Sequence, residues 1–249
     1  MPDSTIKTEI LIHDLKVPIS VIDAGAKSLL NRQDAYGPLT EKQIKVLKRI
    51  IRNTLTTQRL VNDMLEIGRS REGVVNLSEF RVSDLVTDVL VEIFDLSDPA
   101  VADVIRKTDS FDGLKNALAP CGLELLFDRQ TWAFTICLDK PKVKQILRNL
   151  VTNAFKHRSR QVAIFGSLGD CRLILRVRDD GQGIPVSAQK KIFNTYFTTG
   201  DSLENAIKSH GLGLAGVMVL LKDMGGTLDL DSDVGKGAEF KVEIPLDRH

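Results

Sequence analysis

Cysteine is scarce in this 249-residue chain, and its three copies, Cys121, Cys137 and Cys171, are odd in number and sit in apolar contexts. That speaks against a disulfide framework and a paired-thiolate metal site, and makes a reducing, cytoplasmic compartment the expectation. An excess of charge of one sign is also lacking. Thirty-four Lys and Arg stand against 33 Asp and Glu, a net charge of +1, so no nucleic-acid partner held by bulk electrostatics is expected. No apolar run approaches the length of a membrane span and the N-terminus has no secretory apolar region, so neither a membrane segment nor a leader is expected here. Internal repeats and low-complexity tracts are missing as well. What remains is an ordinary soluble composition, 43% hydrophobic and 27% charged, with length for one large or two smaller domains.

The chain opens with two helical patterns. Ser4 and Thr5 can cap a helix reaching about Leu30, in which Leu11, Leu15, Pro18, Ile22, Gly25 and Leu29 alternate steps of four and three, a seam of the coiled-coil kind. A loop rich in turn formers follows, from Asn31 to Pro38. Thr40 then opens a second helix running to about Ser70, with Ile44, Leu47, Ile51, Leu55, Val61 and Leu65 on its apolar face. Two long amphipathic helices joined by a short loop predict an antiparallel hairpin. One hairpin hardly covers two such seams, so a homodimeric four-helix bundle is expected.

Beyond Gly73 the texture changes. Residues 82–96, 143–155 and 215–224 read as helices, and 123–127, 133–138, 161–166 and 172–179 as strands. Residues 227–230 and 238–244 read as a closing hairpin. The fold class is therefore α+β: a helical hairpin over residues 1–74, then an α/β sandwich over 75–249 with helices on one face of a sheet built from hairpins. Residues 96–116 stand out as an insertion; Val101, Val104 and Ile105 give it a weak helical face.

Four stretches carry chemistry. In Ile12-His13-Asp14-Leu15-Lys16-Val17-Pro18, His13 and Asp14 fall outside the apolar seam, and Pro18 is placed to kink the helix just after them. A solvent-facing imidazole with a neighbouring carboxylate is a candidate nucleophile, although taken alone the motif reads first as an ordinary surface histidine. In Asn149-Leu150-Val151-Thr152-Asn153-Ala154-Phe155-Lys156-His157, Asn149 and Asn153 share one helical face with Lys156 and His157 one turn on. Two amides, a cation and an imidazole make a poor core and a good site for a hydrated metal and phosphates. Asp179-Asp180-Gly181-Gln182-Gly183-Ile184 follows a strand. Its glycines let a ligand approach the backbone, and its carboxylate can accept a proton from a base's exocyclic amine. Gly211-Leu212-Gly213-Leu214 opens a helix whose first N–H groups can hold phosphate oxygens. A weaker piece, Gly235 to Phe240, enters the last strand. Each alone has a plainer explanation as a cap, a turn or close helix packing.

In this order, the four resemble the sensor histidine kinases of two-component signalling. The resemblance runs from about residue 5 to 245 and comprises a dimerisation and histidine-phosphotransfer hairpin followed by an ATP-binding domain of the class shared with Hsp90-type chaperones, type II topoisomerases and MutL. It implies that His13 attacks the γ-phosphate of ATP, with Asp14 orienting the ring and accepting its proton. It implies Mg2+ on Asn153 supported by Asn149, phosphates facing Lys156 and His157, and the adenine amine on Asp179. Gly181, Gly183, Ile184 and Gly211 to Leu214 would line the nucleotide, Phe193 and Phe197 would supply the phenylalanine box, and residues from about 185 to 209 would form a mobile lid. These roles fit phosphoryl transfer, in which positioning and charge neutralisation do most of the work.

Departures from the family pattern are also visible. Val17 stands where many relatives carry Thr or Asn, which puts phosphatase activity in doubt. Ser209 replaces a glycine, Ala238 lacks a hydroxyl often found there, and Thr198-Thr199-Gly200 lacks the usual basic residue, for which Lys190, Lys191 or Lys208 could substitute. The expected activity is histidine autophosphorylation with transfer to the aspartate of a separate response regulator receiver domain. The alternative is a weakly catalytic or non-catalytic ATP-binding dimer acting as a phosphotransfer hub or conformational regulator. Asn149 stands where a chaperone-type ATPase needs a carboxylate to activate water, which disfavours simple hydrolysis.

Overall fold

A computed structural model describes the backbone of residues 3–71, 75–189 and 213–246, and side chains from residue 14 onward except 59, 63–71 and 215. The chain divides into two compact units, Met1–Arg69 and Ser70–His249.

The first unit is a helical hairpin of α1 (Asp3–Asn31), α2 (Gln33–Tyr36) and α3 (Glu41–Arg71). Helix α1 begins at Asp3, which puts Ser4 and Thr5 inside its first turn instead of at its cap. It continues through Pro18. The expected loop contains one helical turn, α2, closed by Gly37 at a φ of +88°, a left-handed conformation glycine adopts without strain. Thr40 and Gln43 then form a reciprocal capping box. The Gln43 side chain accepts from the Thr40 N–H at 2.8 Å, and the Thr40 hydroxyl accepts from the Gln43 N–H at 3.3 Å.

Where α1 and α3 meet, Ala26, Thr54 and Val61 are buried. The Thr54 hydroxyl lies 3.3 Å from an Asp23 oxygen, and Gln58 donates to the Ser20 hydroxyl at 3.4 Å. The face of α1 that turns inward is therefore that of Ile19, Asp23, Ala26 and Leu30, not the seam read from the sequence. Leu15, Ile22 and Leu29 of that seam are 45%, 51% and 38% exposed. Within one chain, nothing described covers them.

The second unit is a two-layer α/β fold. It runs β1 (Ser78–Arg81), α4 (Val82–Ser97), α5 (Pro99–Arg106), α6 (Phe111–Leu118), β2 (Leu123–Phe127), α7 (Arg129–Ala133), β3 (Thr135–Leu138), α8 (Lys140–His157), β4 (Val162–Gly169), β5 (Arg172–Asp179), α9 (Gly213–Asp223), β6 (Thr227–Ser232) and β7 (Ala238–Pro245). Strands β1 and β3 pair antiparallel apart from the main sheet, whose order is β2-β4-β5-β7-β6. Burial alternates along β5 and β7, so one face of the sheet is covered and the other is open, as expected for antiparallel strands packed on one side. Leu173, Leu175, Val177, Phe240, Val242 and Ile244 point inward against Val143, Ile146, Leu150 and Val151 of α8. Helix α8 packs between α4 and α9.

Two expectations are corrected. The sheet is not built from hairpins alone: β2 pairs parallel with β4, a crossover that needs the intervening α7, β3 and α8. The strand expected at 133–138 begins only at Thr135. Asp128 caps a short helix before it, accepting from the Thr131 N–H at 2.7 Å, and that side-chain bond competes with extended backbone. Residues 96–116 form the end of α4, α5 and most of α6, capped by Asp98 and Ser110. Ala102, Ile105 and Leu114 are buried in the core cluster, so this segment is built into the domain.

Candidate nucleotide site

Helix α8 carries the asparagine face. Asp139 starts it by accepting from the Lys142 N–H at 3.2 Å and is tied to β1's approach by the Asn76 N–H at 2.9 Å. Pro141 fits the first turn, where its missing donor does no harm. The opposite, apolar face is fully packed, which turns Asn149 and Asn153 to the border of the core, where both are half-buried. Asn149 donates through Nδ2 to the Gly213 carbonyl at 3.1 Å, joining α8 to the first residue of α9. Lys156 and His157 are exposed in the last turn.

Asp179 is the last residue of β5, opposite Val162 on β4 and Ala238 on β7, and is 6% exposed. Its Oδ1 accepts the Gly181 N–H at 2.9 Å. Burial pushes its carboxyl above the ordinary 3.8, against the opposing pull of that N–H and of His157. Gly181 lies so close to the His157 carbonyl that a Cβ there has no room, and Gly237 lies equally close to the Asp179 carbonyl at a φ of +83°. The acidic residue, the end of α8 and the start of β7 are thus packed backbone on backbone, which only glycines permit.

The turn beyond is also bonded. The Ile184 N–H donates to the Ser232 hydroxyl at 2.9 Å, and that hydroxyl donates to the Gly237 carbonyl at 2.7 Å. Gln189 bridges the Ile184 and Ser232 carbonyls, each at 2.7 Å. Sequence reasoning missed Ser232 and Gln189, because their partners lie 43 or more residues away on one side of the bond. It ranked the Gly235–Phe240 piece lowest, yet Gly237 and Ala238 flank Asp179 directly.

The structure therefore brings Asn149 to Gly213, and His157, Asp179 and Gly181 to one another. Gly213 and Leu214 begin α9. His13 and Asp14 lie on α1, with Asp14 exposed. The His13 side chain, Gly211, Leu212, Phe193, Phe197 and residues 190–209 of the expected lid lie outside the described residues. Among the described residues, no group of three or more His, Cys, Asp or Glu is placed to hold a metal. A hard dication that keeps several waters and binds chiefly through substrate phosphates needs no such group, and the half-buried Asn153 carries an amide oxygen of the kind that could hold one.

A buried Asp-Gly loop thus closes the end of a sheet strand against the last turn of α8, in a chain that also carries a helical hairpin. Residues 138–248 match the family described as histidine kinase-, DNA gyrase B- and HSP90-like ATPase, and residues 9–73 match the His Kinase A (phospho-acceptor) domain. With those two domains in tandem, the chain belongs to the sensor histidine kinases of two-component signalling.

The chain is 30% identical over 238 residues to the circadian input-output histidine kinase CikA of Synechococcus elongatus, covering 94% of this chain and 29% of CikA. It is 26% identical over 241 residues to the sensor histidine kinase MtrB of Mycobacterium leprae, covering 95% and 38%. It thus spans well under half the length of these curated relatives. Among solved structures, full-length ShkA in complex with AMPPNP superposes with a TM-score of 0.64 at 25% identity, covering 98% of this chain and 46% of ShkA. The histidine kinase AdeS of Acinetobacter baumannii shares the fold, with a TM-score of 0.54 at 19% identity over 95% of this chain and 98% of that one. No described helix is long and apolar enough to cross a membrane.

Proposed function

We propose that the chain is an ATP-dependent protein-histidine autokinase that phosphorylates His13 and passes the phosphoryl group to an aspartate of a separate response regulator. The observation that carries this reading is the buried Asp179 carboxylate, bonded to its own glycine loop beside the asparagine face of α8, in a chain that also matches the phospho-acceptor domain. The working parts are a phosphotransfer hairpin over residues 1–74 and a catalytic ATP-binding domain over 75–249.

In this reading Asp179 accepts the adenine amine, and Gly181, Gly183 and Ile184 hold the loop against the base. Lys156 and His157 meet the phosphates, and the N–H groups of Gly211, Leu212, Gly213 and Leu214 bind their oxygens, the last two from the first turn of α9. Asn153, supported by Asn149, holds Mg2+, which neutralises the charge that builds on the phosphates. His13 presents one neutral ring nitrogen to the γ-phosphorus. Asp14 holds the other and takes up the proton as the new N–P bond forms and the bond to the ADP oxygen breaks. The uncovered seam of α1 supports a homodimer through the hairpin, and the protein is read as cytoplasmic.

The test is incubation with γ-labelled ATP and Mg2+, comparing wild type with His13→Gln. Label that resists alkali, is lost in acid and vanishes in the variant is expected. An unlabelled wild type that binds ATP tightly would favour a conformational regulator and overturn the kinase reading.

A further inference from the structure

Asp180 has no part in the chemistry above, yet its carboxylate is more heavily bonded than that of Asp179. Its Oδ1 accepts three successive backbone N–H groups, those of Ser159, Arg160 and Gln161, each at 2.9 Å. Its Oδ2 takes a fourth contact from the Arg160 N–H at 3.2 Å. In return, the Asp180 N–H donates to the Gln161 carbonyl at 3.3 Å. The side chain is exposed, so this is no buried group forced to find partners.

Residues 159–161 lie between the end of α8 and the start of β4. Asp180 therefore closes a two-way clamp between the far end of the asparagine helix and the loop that begins with Asp179. On the neighbouring side Gly181 rests on the His157 carbonyl. Three converging N–H groups form a concavity that would otherwise attract an outside anion; here the chain fills it with its own carboxylate. From this geometry we infer that Asp180 is a positioning residue: it fixes the Asp179 carboxylate relative to α8, so that the base-reading and phosphate-facing groups address one nucleotide. The inference rests on the reading of the nucleotide site given above. It adds a residue to that site whose effect is on base selection, because the group it holds in place is the one that distinguishes an amine from a carbonyl on a purine.

The experiment uses the whole chain as wild type, Asp180→Asn, Asp180→Glu and Asp180→Ala. Dissociation constants for ATP and GTP are measured calorimetrically, beside the melting temperature without nucleotide. Asparagine keeps an oxygen where Oδ1 stands and should stay within roughly threefold of wild type for ATP. Alanine loses the clamp, and glutamate keeps the charge but displaces it. Both should weaken ATP by about tenfold or more and narrow the preference for ATP over GTP, since misplacement of this size is felt at the reading group. Equal losses for ATP and GTP in step with a lowered melting temperature would reduce Asp180 to a structural prop and overturn the inference. An asparagine variant as weak as alanine would do the same, because charge and not geometry would then be at work. A wild type that binds no ATP would sink the reading of the site itself, and this inference with it.

Discussion

The titration of two adjacent aspartates runs in opposite directions for reasons visible in their bonds. Burial raises Asp179 above 3.8, whereas the backbone N–H groups of residues 159–161, that of Arg160 first, hold Asp180 below it. For Asp179 the unfolded chain gives up its proton first as pH rises. Between the unfolded and folded values the native state binds more protons, so stability falls as pH rises through that window. For Asp180 the sign is reversed: its contribution is present above the unfolded value and is lost as pH falls through the folded one. Asp179→Asn removes a buried charge while keeping an oxygen for the Gly181 N–H. At pH 7 it should therefore melt no lower than wild type, while ATP binding measured by calorimetry drops below detection. In the wild type, ATP affinity should weaken on acidification at a pH above the ordinary carboxylate value. Affinity that holds down to 3.8 would contradict the assignment of Asp179 as the amine acceptor.

Among the helices, α8 is the element on which the ATP domain depends, and its register is set by charge as well as by apolar packing. Lys142, 1% exposed, pairs with Asp223 at the end of α9 and lies 3.9 Å from Asp139 at its own N-cap. On the other flank Lys140 meets Asp88 at 2.9 Å, and Lys144 meets Glu92 at 2.6 Å, both on α4. The flanking pairs are partly exposed and contribute little. The buried one is different, because removing one partner leaves an uncompensated charge in the core. Lys142→Ala should destabilise the domain by about 3–5 kcal/mol, read as a lowered urea midpoint. Lys142→Met combined with Asp223→Leu should recover part of that loss. If the single variant unfolds at the wild-type midpoint, the pair does not hold α8 against α9.

For the molecule as a whole, the decisive surface is the α1 seam. Leu15, Ile22 and Leu29 are exposed on a hairpin whose own two helices meet along a different face. Apolar rows of this kind at a coiled-coil spacing are normally covered by a second helix pair. In the proposed homodimer, Ile22→Asp should therefore convert the dimer to a monomer in light scattering, because two carboxylates would be brought together in the seam between the hairpins. The same variant should bind ATP as the wild type does, since its site lies in the other unit. An unchanged dimer would place the interface elsewhere.

The sequence by itself determined whatever depends on neighbours a few residues away. The helical hairpin follows from apolar spacing and the Thr40–Gln43 box. The face shared by Asn149, Asn153 and Lys156 follows from the helical period, and the Asp-Gly loop after β5 from its turn chemistry. The tertiary structure alone decided what depends on residues distant along the chain. The parallel pairing of β2 with β4 joins strands separated by two helices and a strand, and no local pattern encodes a register across that gap. Which face of α1 turns inward was set by its fit against Thr54 and Val61 of α3, a choice between two amphipathic stripes that periodicity cannot rank. The bonds that anchor the nucleotide loop, from Asp180 to residues 159–161 and from Ser232 to Ile184, form only once the sheet has brought those segments together. Short-range order is written in composition and spacing; the geometry of the site comes from long-range backbone contacts that appear with the fold.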